Sequence, residues 1–182
     1  MVPEGDCPLQ LPVLSSKPIA YSGSCLGLSS TLLSHLHSVL PNTAVILSIG
    51  SGAGLLEALL NGDPYCHTII GVEVEPSPNR YLPPENHDTV HGTRFLSGRA
   101  AEATAWMFIY PRRVGLLEEY IKMYGGSVEL VVWIGPKADW DDYQDCFQTS
   151  TWDVGVQGCE ESGGRLWELM AIARKRERNK IS

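Results

Sequence analysis

The segment AVILSIGSGAG, residues 44–54, joins an apolar run directly to a turn that contains Gly50, Gly52 and Gly54. A short apolar run rich in branched side chains is typical of a strand buried on both faces. The following segments, LLEALLNG and HTIIGVEVE, are typical of a short helix closed by a glycine and of a second strand. Together they predict a parallel βαβ unit with a right-handed crossover.

The rest of the chain continues this alternation. Leucine and valine recur at helical spacing over residues 28–40, before the first strand. Further predicted elements are a short third strand at 89–93, a helix at 97–105, a fourth strand at 106–111, a helix at 112–126, a fifth strand at 127–136 and a helix at 139–147. We therefore expect an α/β fold with helices on both faces of a parallel sheet.

The C-terminal part departs from the alternation. Residues 150–157 and 165–175 resemble two strands joined by the loop GCEESGG, which predicts an antiparallel hairpin at the edge or in the interior of the sheet. The second segment also has apolar residues at helical spacing. A helix over residues 167–174 would therefore contradict the prediction.

Composition restricts the function classes. A hydrophobic content of 43% and a charged content of 19% predict a globular chain, and 182 residues suit one domain. A net charge of −7 disfavours nucleic acid as a partner, because that affinity depends on cationic contacts to phosphates. No apolar run approaches the roughly 20 residues of a membrane span, and the N-terminus lacks the pattern of a secretory signal.

Five widely spaced cysteines without a CxxC pair indicate free thiols in a reducing compartment. The sequence thus predicts a cytoplasmic protein without a metal site. His87 and His91 leave a base or a metal pair open, although two histidines without a third ligand rarely form either. Four prolines within residues 1–20 predict an extended N-terminal arm, followed by one domain at 21–176 and a basic tail at 177–182.

The glycine turn is the expected ligand site, because ligands of such sheets bind beyond the carboxyl ends of the strands. The dinucleotide pattern GxGxxG, counted from Gly50, requires a glycine at position 55, where this chain has Leu55. The third glycine is Gly54, so the pattern is GxGxG. This spacing makes a nicotinamide-dependent oxidoreductase the weakest of the functions considered.

A GxGxG turn, followed about 20 residues later by an acid that closes the second strand, resembles the class I S-adenosylmethionine-dependent methyltransferases. The resemblance covers residues 28–175. It implies a Rossmann-like sheet with a helix before the first strand and a C-terminal hairpin whose seventh strand is antiparallel. It also implies S-adenosylmethionine as the cofactor.

The resemblance implies cofactor contacts on four segments. The residues concerned are Gly50, Ser51 and Gly52, then Glu73 and Val74, then Gly92 and Thr93, and finally Tyr110. Glu73 matches the acid that hydrogen-bonds both ribose hydroxyls, since one carboxylate can accept from a vicinal diol. Glu75 is a competing candidate, but it lies past the usual position. Tyr110 and Pro111 would line the transfer site.

Three acids common in the family are missing. Ser48 stands two residues before the first glycine, Thr93 stands near the adenine position, and residues 104–106 lack the acid that often begins the fourth strand. Serine and threonine cannot offer a charge to the ammonium group of the cofactor. This favours, as an alternative, a methyltransferase-like subunit without catalytic activity.

The function implied first is methyl transfer from S-adenosylmethionine to a small molecule or a protein side chain. The sequence identifies no catalytic residue. This does not weigh against catalysis, because a base is needed only when the acceptor must lose a proton before transfer. The oligomeric state and the acceptor atom are left open.

Overall fold

The computed structural model describes residues 9–149 and 151–177. Seven strands form a single sheet in the order β3-β2-β1-β4-β5-β7-β6. Their bounds are β1 Val45–Ile49, β2 Thr68–Val74, β3 His87–Val90, β4 Ala105–Ile109, β5 Leu130–Pro136, β6 Trp152–Gly158 and β7 Glu168–Lys175. The first five strands are parallel, and β7 pairs antiparallel with both β5 and β6.

The predicted C-terminal hairpin is confirmed, with Met170 opposite Ile134 of β5 and Gln157 of β6. Residues 168–175 form a strand and not a helix, because their backbone pairs with β5 on one side and with β6 on the other. The α/β sheet with an antiparallel seventh strand is therefore as expected.

Four α-helices accompany the sheet in the described part of the chain. They are α1 Ser30–Val39, α2 Leu55–Asn61, α3 Val114–Tyr124 and α4 Trp140–Tyr143. Alternate residues of each central strand face opposite sides: Ile46 and Met107 pack in the core that holds α1 and α2, whereas Leu47 and Phe108 pack with α3. This two-sided burial is the physical reason for the continuous apolar runs.

Three local predictions are wrong in detail. The third strand is His87–Val90 rather than 89–93. The helix expected at 97–105 is only a 3₁₀ segment, Gly98–Ala101, because residues 105 onward already belong to β4. Residues 139–147 contain the short helix α4 with 3₁₀ segments, Lys137–Asp139 and Gln144–Phe147, before and after it.

The expected N-terminal arm and basic tail lie partly outside the described residues, which exclude 1–8 and 178–182. Within the described residues, none of the helices has the length and apolar character needed to cross a membrane.

Candidate functional site

A cleft of about 640 Å³ opens at the carboxyl ends of β1, β2 and β4. Strand order reverses at β1, which lies between β2 and β4, so the cleft is at the topological switch point where such sheets bind ligands. The cleft brings together all eight residues named from the resemblance: Gly50, Ser51, Gly52, Glu73, Val74, Gly92, Thr93 and Tyr110. The N-terminal segment also reaches it, through Gly23, Ser24 and Cys25.

The glycine turn requires backbone conformations that other residues rarely adopt. Gly50, Gly52 and Gly54 have φ angles of 79°, 58° and 79°. The amides of Gly50 and Ser51 both donate to the Val72 carbonyl, at 2.9 and 3.2 Å, which ties the turn to the end of β2. Gly50 and Gly52 line the cleft without side chains, so a ligand can approach their backbone closely. An added Cβ at the buried Gly54, by contrast, would lie 2.8 Å from Asn79 and Leu82.

Glu73 is directed toward this turn. Its Oε1 accepts a hydrogen bond from the Gly52 amide at 2.7 Å, and its Oε2 accepts from the Val74 amide at 3.1 Å. Glu75 points elsewhere and accepts from Thr89 Oγ1 at 2.8 Å and from His91 Nδ1 at 3.0 Å. These hydrogen bonds lower the pKa of Glu75.

Glu57 is a site residue that the sequence analysis missed. It lies in the first turn of α2, is only 2% exposed and lines the floor of the cleft. Ser48 Oγ donates to its Oε1 at 2.6 Å. Burial raises the pKa of Glu57 to about 7, the Ser48 hydrogen bond opposes this rise, and the charge of Glu73 adds to it.

No local signal distinguishes Glu57 from a surface acid. A glutamate in the first turn of a helix ordinarily faces solvent and interacts with the helix dipole. Here Leu55, Leu56 and Leu60 are also buried, so this short helix is enclosed on most sides and turns Glu57 toward β1.

Tyr110 forms the wall of the cleft at the end of β4, with φ at 50°. Its hydroxyl donates to Oε1 of Glu168 at 2.9 Å. Glu168 is fully buried and also accepts from the amides of Gly27 and Arg165, at 3.0 and 2.8 Å. Burial and the Glu168 carboxylate raise the pKa of Tyr110, so the phenol stays protonated at neutral pH.

Another part of the cleft wall is held by Arg113. Its guanidinium binds both carboxylate oxygens of Glu119, at 3.1 and 3.0 Å, and also donates to the Thr93 carbonyl at 2.7 Å. This links the segment after β3 to α3. Thr93 therefore contributes its backbone to the wall, and its side chain supplies no charge.

The two histidines considered from the sequence do not converge. His87 Nε2 lies 2.9 Å from Ser77 Oγ, whereas His91 pairs with Glu75 at the surface. Among the described residues there is no cluster of three or more histidine, cysteine, aspartate or glutamate side chains that could hold a metal ion.

Comparison with solved structures identifies the fold. A precorrin-6y C5,15-methyltransferase from Geobacter metallireducens superposes with a TM-score of 0.62 at 14% identity, over 92% of this chain and 100% of that one. Human N-acetylserotonin methyltransferase, solved with S-adenosylmethionine, matches with a TM-score of 0.56 at 11% identity, over 80% of this chain and 52% of that one.

A putative tRNA (m1A22) methyltransferase from Streptococcus pneumoniae, also solved with S-adenosylmethionine, gives a TM-score of 0.55 at 17% identity, over 85% and 76% of the two chains. The chain has the fold of the class I S-adenosylmethionine-dependent methyltransferases. No protein-family profile and no curated protein sequence matches it.

Proposed function

We propose that this chain binds S-adenosylmethionine in the cleft and transfers its methyl group to an acceptor. The observation that carries the proposal is the Glu73 carboxylate, which the Gly52 amide holds at 2.7 Å against the glycine turn. The methyltransferase fold and the position of the cleft support it.

Glu73 suits a ribose in this position. Each carboxylate oxygen accepts one backbone amide and has a further lone pair for a hydroxyl donor. Val74, Gly92 and Thr93 extend the cleft from there and would contact the adenine, whereas Gly50 and Ser51 would contact the amino-acid part.

The bound cofactor supplies an electrophilic methyl group on a sulfonium. The chain would align the acceptor with that methyl group and exclude water, which lowers the entropic part of the barrier. Tyr110 and Pro111 line the cleft and would form its wall at the acceptor end. The Tyr110 hydroxyl proton is directed at Glu168, so the phenolic oxygen can accept a hydrogen bond from the substrate that receives the methyl group.

The acceptor we propose is a small molecule or a protein side chain, since the chain carries a net charge of −7. The comparisons do not support the exclusion of nucleic acid, because they include the putative tRNA methyltransferase and an RNA repair complex. Methyl-labelled S-adenosylmethionine, incubated with the protein and cell extract, tests this. Label in the small-molecule or protein fraction agrees with the proposal, and label in the nucleic-acid fraction contradicts it.

We also propose that the protein is located in the cytoplasm. The four cysteines in the described part of the chain, Cys25, Cys66, Cys146 and Cys159, are free thiols, as a reducing compartment allows.

The alternative is a methyltransferase-like subunit without activity, favoured by Ser48 and Thr93 at positions where the family carries acids. Binding distinguishes the cases. We expect S-adenosylhomocysteine to bind the parent, Glu73→Ala to weaken this binding by roughly ten-fold to a hundred-fold, and Glu73→Gln to weaken it less. Glu75→Ala, the matched control, should change it little, because Glu75 bonds to Thr89 and His91.

Titration calorimetry measures these dissociation constants. If Glu75→Ala loses binding and Glu73→Ala binds as tightly as the parent, the ribose binds at Glu75 and not at Glu73. Absence of binding to the parent at millimolar ligand would favour the subunit without activity.

A further inference from the structure

A buried carboxylate without a cation lies on the floor of the cleft. Glu57 is 2% exposed, and its strongest described contact is the hydrogen bond from Ser48 Oγ at 2.6 Å. None of the ion pairs among the described residues includes Glu57. Buried carboxylates are ordinarily paired with a cation, because desolvation of an isolated charge is costly. Glu57 therefore lacks the cationic partner that a buried carboxylate ordinarily has, and a ligand in the cleft could supply it.

The position of the pair relates it to the acid that the first strand lacks. Ser48 is the β1 residue at which the resemblance expects an acid, and it is fully buried. Its hydroxyl cannot carry charge, but it donates to the carboxylate that α2 brings to the same place. The negative charge thus comes from the helix rather than from the strand.

We infer that Glu57, oriented by Ser48, receives the ammonium group of the amino-acid part of the cofactor. This inference rests on the proposed function. Gly50 and Ser51, which follow Ser48 closely along the chain, line the same cleft and would contact that part of the ligand. The ligand that this site would take is an adenosyl amino acid with a free ammonium group. An adenosyl thioether without the amino acid lacks that ammonium group and would not contact Glu57.

The other ionisable groups of the cleft leave Glu57 as the acid free for this role. Glu73 accepts hydrogen bonds from the amides of Gly52 and Val74, and Tyr110 is neutral and donates to Glu168. Cys25 and the arginines at positions 80, 112 and 113 line the same cleft, and Arg113 is paired with Glu119. Of these groups, Glu73 is the one whose charge contributes to the titration of Glu57.

The test compares two ligands that differ in the amino-acid part, S-adenosylhomocysteine and 5′-methylthioadenosine. Glu57→Gln should weaken S-adenosylhomocysteine at least ten-fold, about 1.4 kcal/mol, and change 5′-methylthioadenosine less than two-fold. Glu118→Gln, which removes an exposed carboxylate from α3, should change neither. Titration calorimetry of the folded full chain gives the four affinity ratios.

A second measurement uses the parent protein alone. Glu57 must be ionised to pair with an ammonium group, so S-adenosylhomocysteine should release protons near pH 7, and 5′-methylthioadenosine should not. Calorimetry in buffers of different ionisation enthalpy counts these protons. This measurement remains decisive if Glu57→Gln does not fold.

The outcomes separate the two proposals. Equal losses for both ligands in Glu57→Gln, or equal proton release on binding either ligand, overturn the role of Glu57 and leave the proposed function intact. A parent that binds neither ligand overturns both.

Discussion

Gly52 lies where the turn meets the N-terminal segment, and its amide donates to Glu73. Its φ of 58° is strained for any branched residue, and an added Cβ would lie 3.4 Å from the Gly23 carbonyl. We therefore expect Gly52→Val to abolish binding of S-adenosylhomocysteine, because the turn must change conformation and release Glu73.

The matched control is Gly155→Val in β6, where an added Cβ has nothing within 4 Å and φ is not positive. Both variants are checked by circular dichroism before titration. Parent-like affinity in a folded Gly52→Val protein would show that the turn is not part of the binding site.

Single residues also show how far sequence reasoning reaches. The prediction of Glu73 came from the resemblance and from its distance to the turn, because strand alternation alone puts Glu73 and Glu75 on the same side. Glu57 was not, because its role depends on the helix being enclosed, which local spacing does not reveal. The sequence indicates only that an acid is missing at Ser48. The structure shows that the Ser48 hydroxyl donates a hydrogen bond to an acid of α2, Glu57.

At the scale of elements, Glu168 joins three parts of the fold. Its carboxylate accepts hydrogen bonds from Gly27 in the N-terminal segment, Tyr110 after β4 and Arg165 before β7. Glu168→Ala leaves one buried and two half-buried donors unpaired, so we expect the free energy of unfolding to fall by about 3 kcal/mol. Tyr110→Phe removes a single hydrogen bond and should cost about 1 kcal/mol.

Urea denaturation measures both values. Glu160→Gln serves as the control, because Glu160 is an exposed acid that pairs with Lys137 at the surface. A loss for Glu168→Ala no larger than that for Tyr110→Phe would mean that the three elements are held together by other contacts.

The strands β1, β2, β4 and β5 were predicted from continuous apolar runs, because they are buried on both faces. β3 was misplaced because it is a half-buried edge strand of sequence HDTV, without an apolar run, and its register is set by pairing with β2. The 3₁₀ segment Gly98–Ala101 has helix-forming residues, but β4 begins too soon for a full helix. Long-range pairing therefore overrides local propensity at these places.

At the scale of the whole molecule, the antiparallel seventh strand followed from the resemblance, but the path of the N-terminal segment did not. It reaches the cleft because Ile19 bridges to Leu28 and the Gly27 amide binds Glu168, a residue 141 positions away. No local pattern encodes such contacts. The antiparallel pairing of β7 with β5 also differs from the doubly wound sheet of dinucleotide-binding folds, which continues in parallel after the fifth strand.

The stability of the molecule should depend on pH through His67, which is 5% exposed. Burial lowers the pKa of His67 below its ordinary value of 6.5, so the unfolded chain binds the proton more readily. This contribution to stability is complete above pH 6.5 and is lost as the pH falls below it. Urea denaturation of the parent and His67→Gln at pH 7.5 and 5.5 checks this: the parent should lose more stability than the variant, and equal losses would contradict it.

Glu57 should act in the opposite direction. Its pKa is raised from 4.5 to about 7, so the folded protein keeps the proton while the unfolded chain has already released it. Its contribution to stability is therefore complete below pH 4.5 and is lost as the pH rises to about 7. Glu57→Gln keeps the shape of the protonated acid, and we expect it to exceed the parent in stability by roughly 1–3 kcal/mol at pH 8.

Urea denaturation at pH 5.5 and 8 measures this difference, which should be smaller at the lower pH, where Glu57 is largely protonated in the folded protein. Glu118→Gln removes an exposed carboxylate and keeps the buried Glu57, so it should follow the parent at both values. Saturating S-adenosylhomocysteine should stabilise the parent by at least about 1.4 kcal/mol more than Glu57→Gln at pH 8, because the ligand supplies the ammonium group that the ionised carboxylate lacks. A variant no more stable than the free parent at pH 8 would show that Glu57 is ionised without cost in the empty cleft.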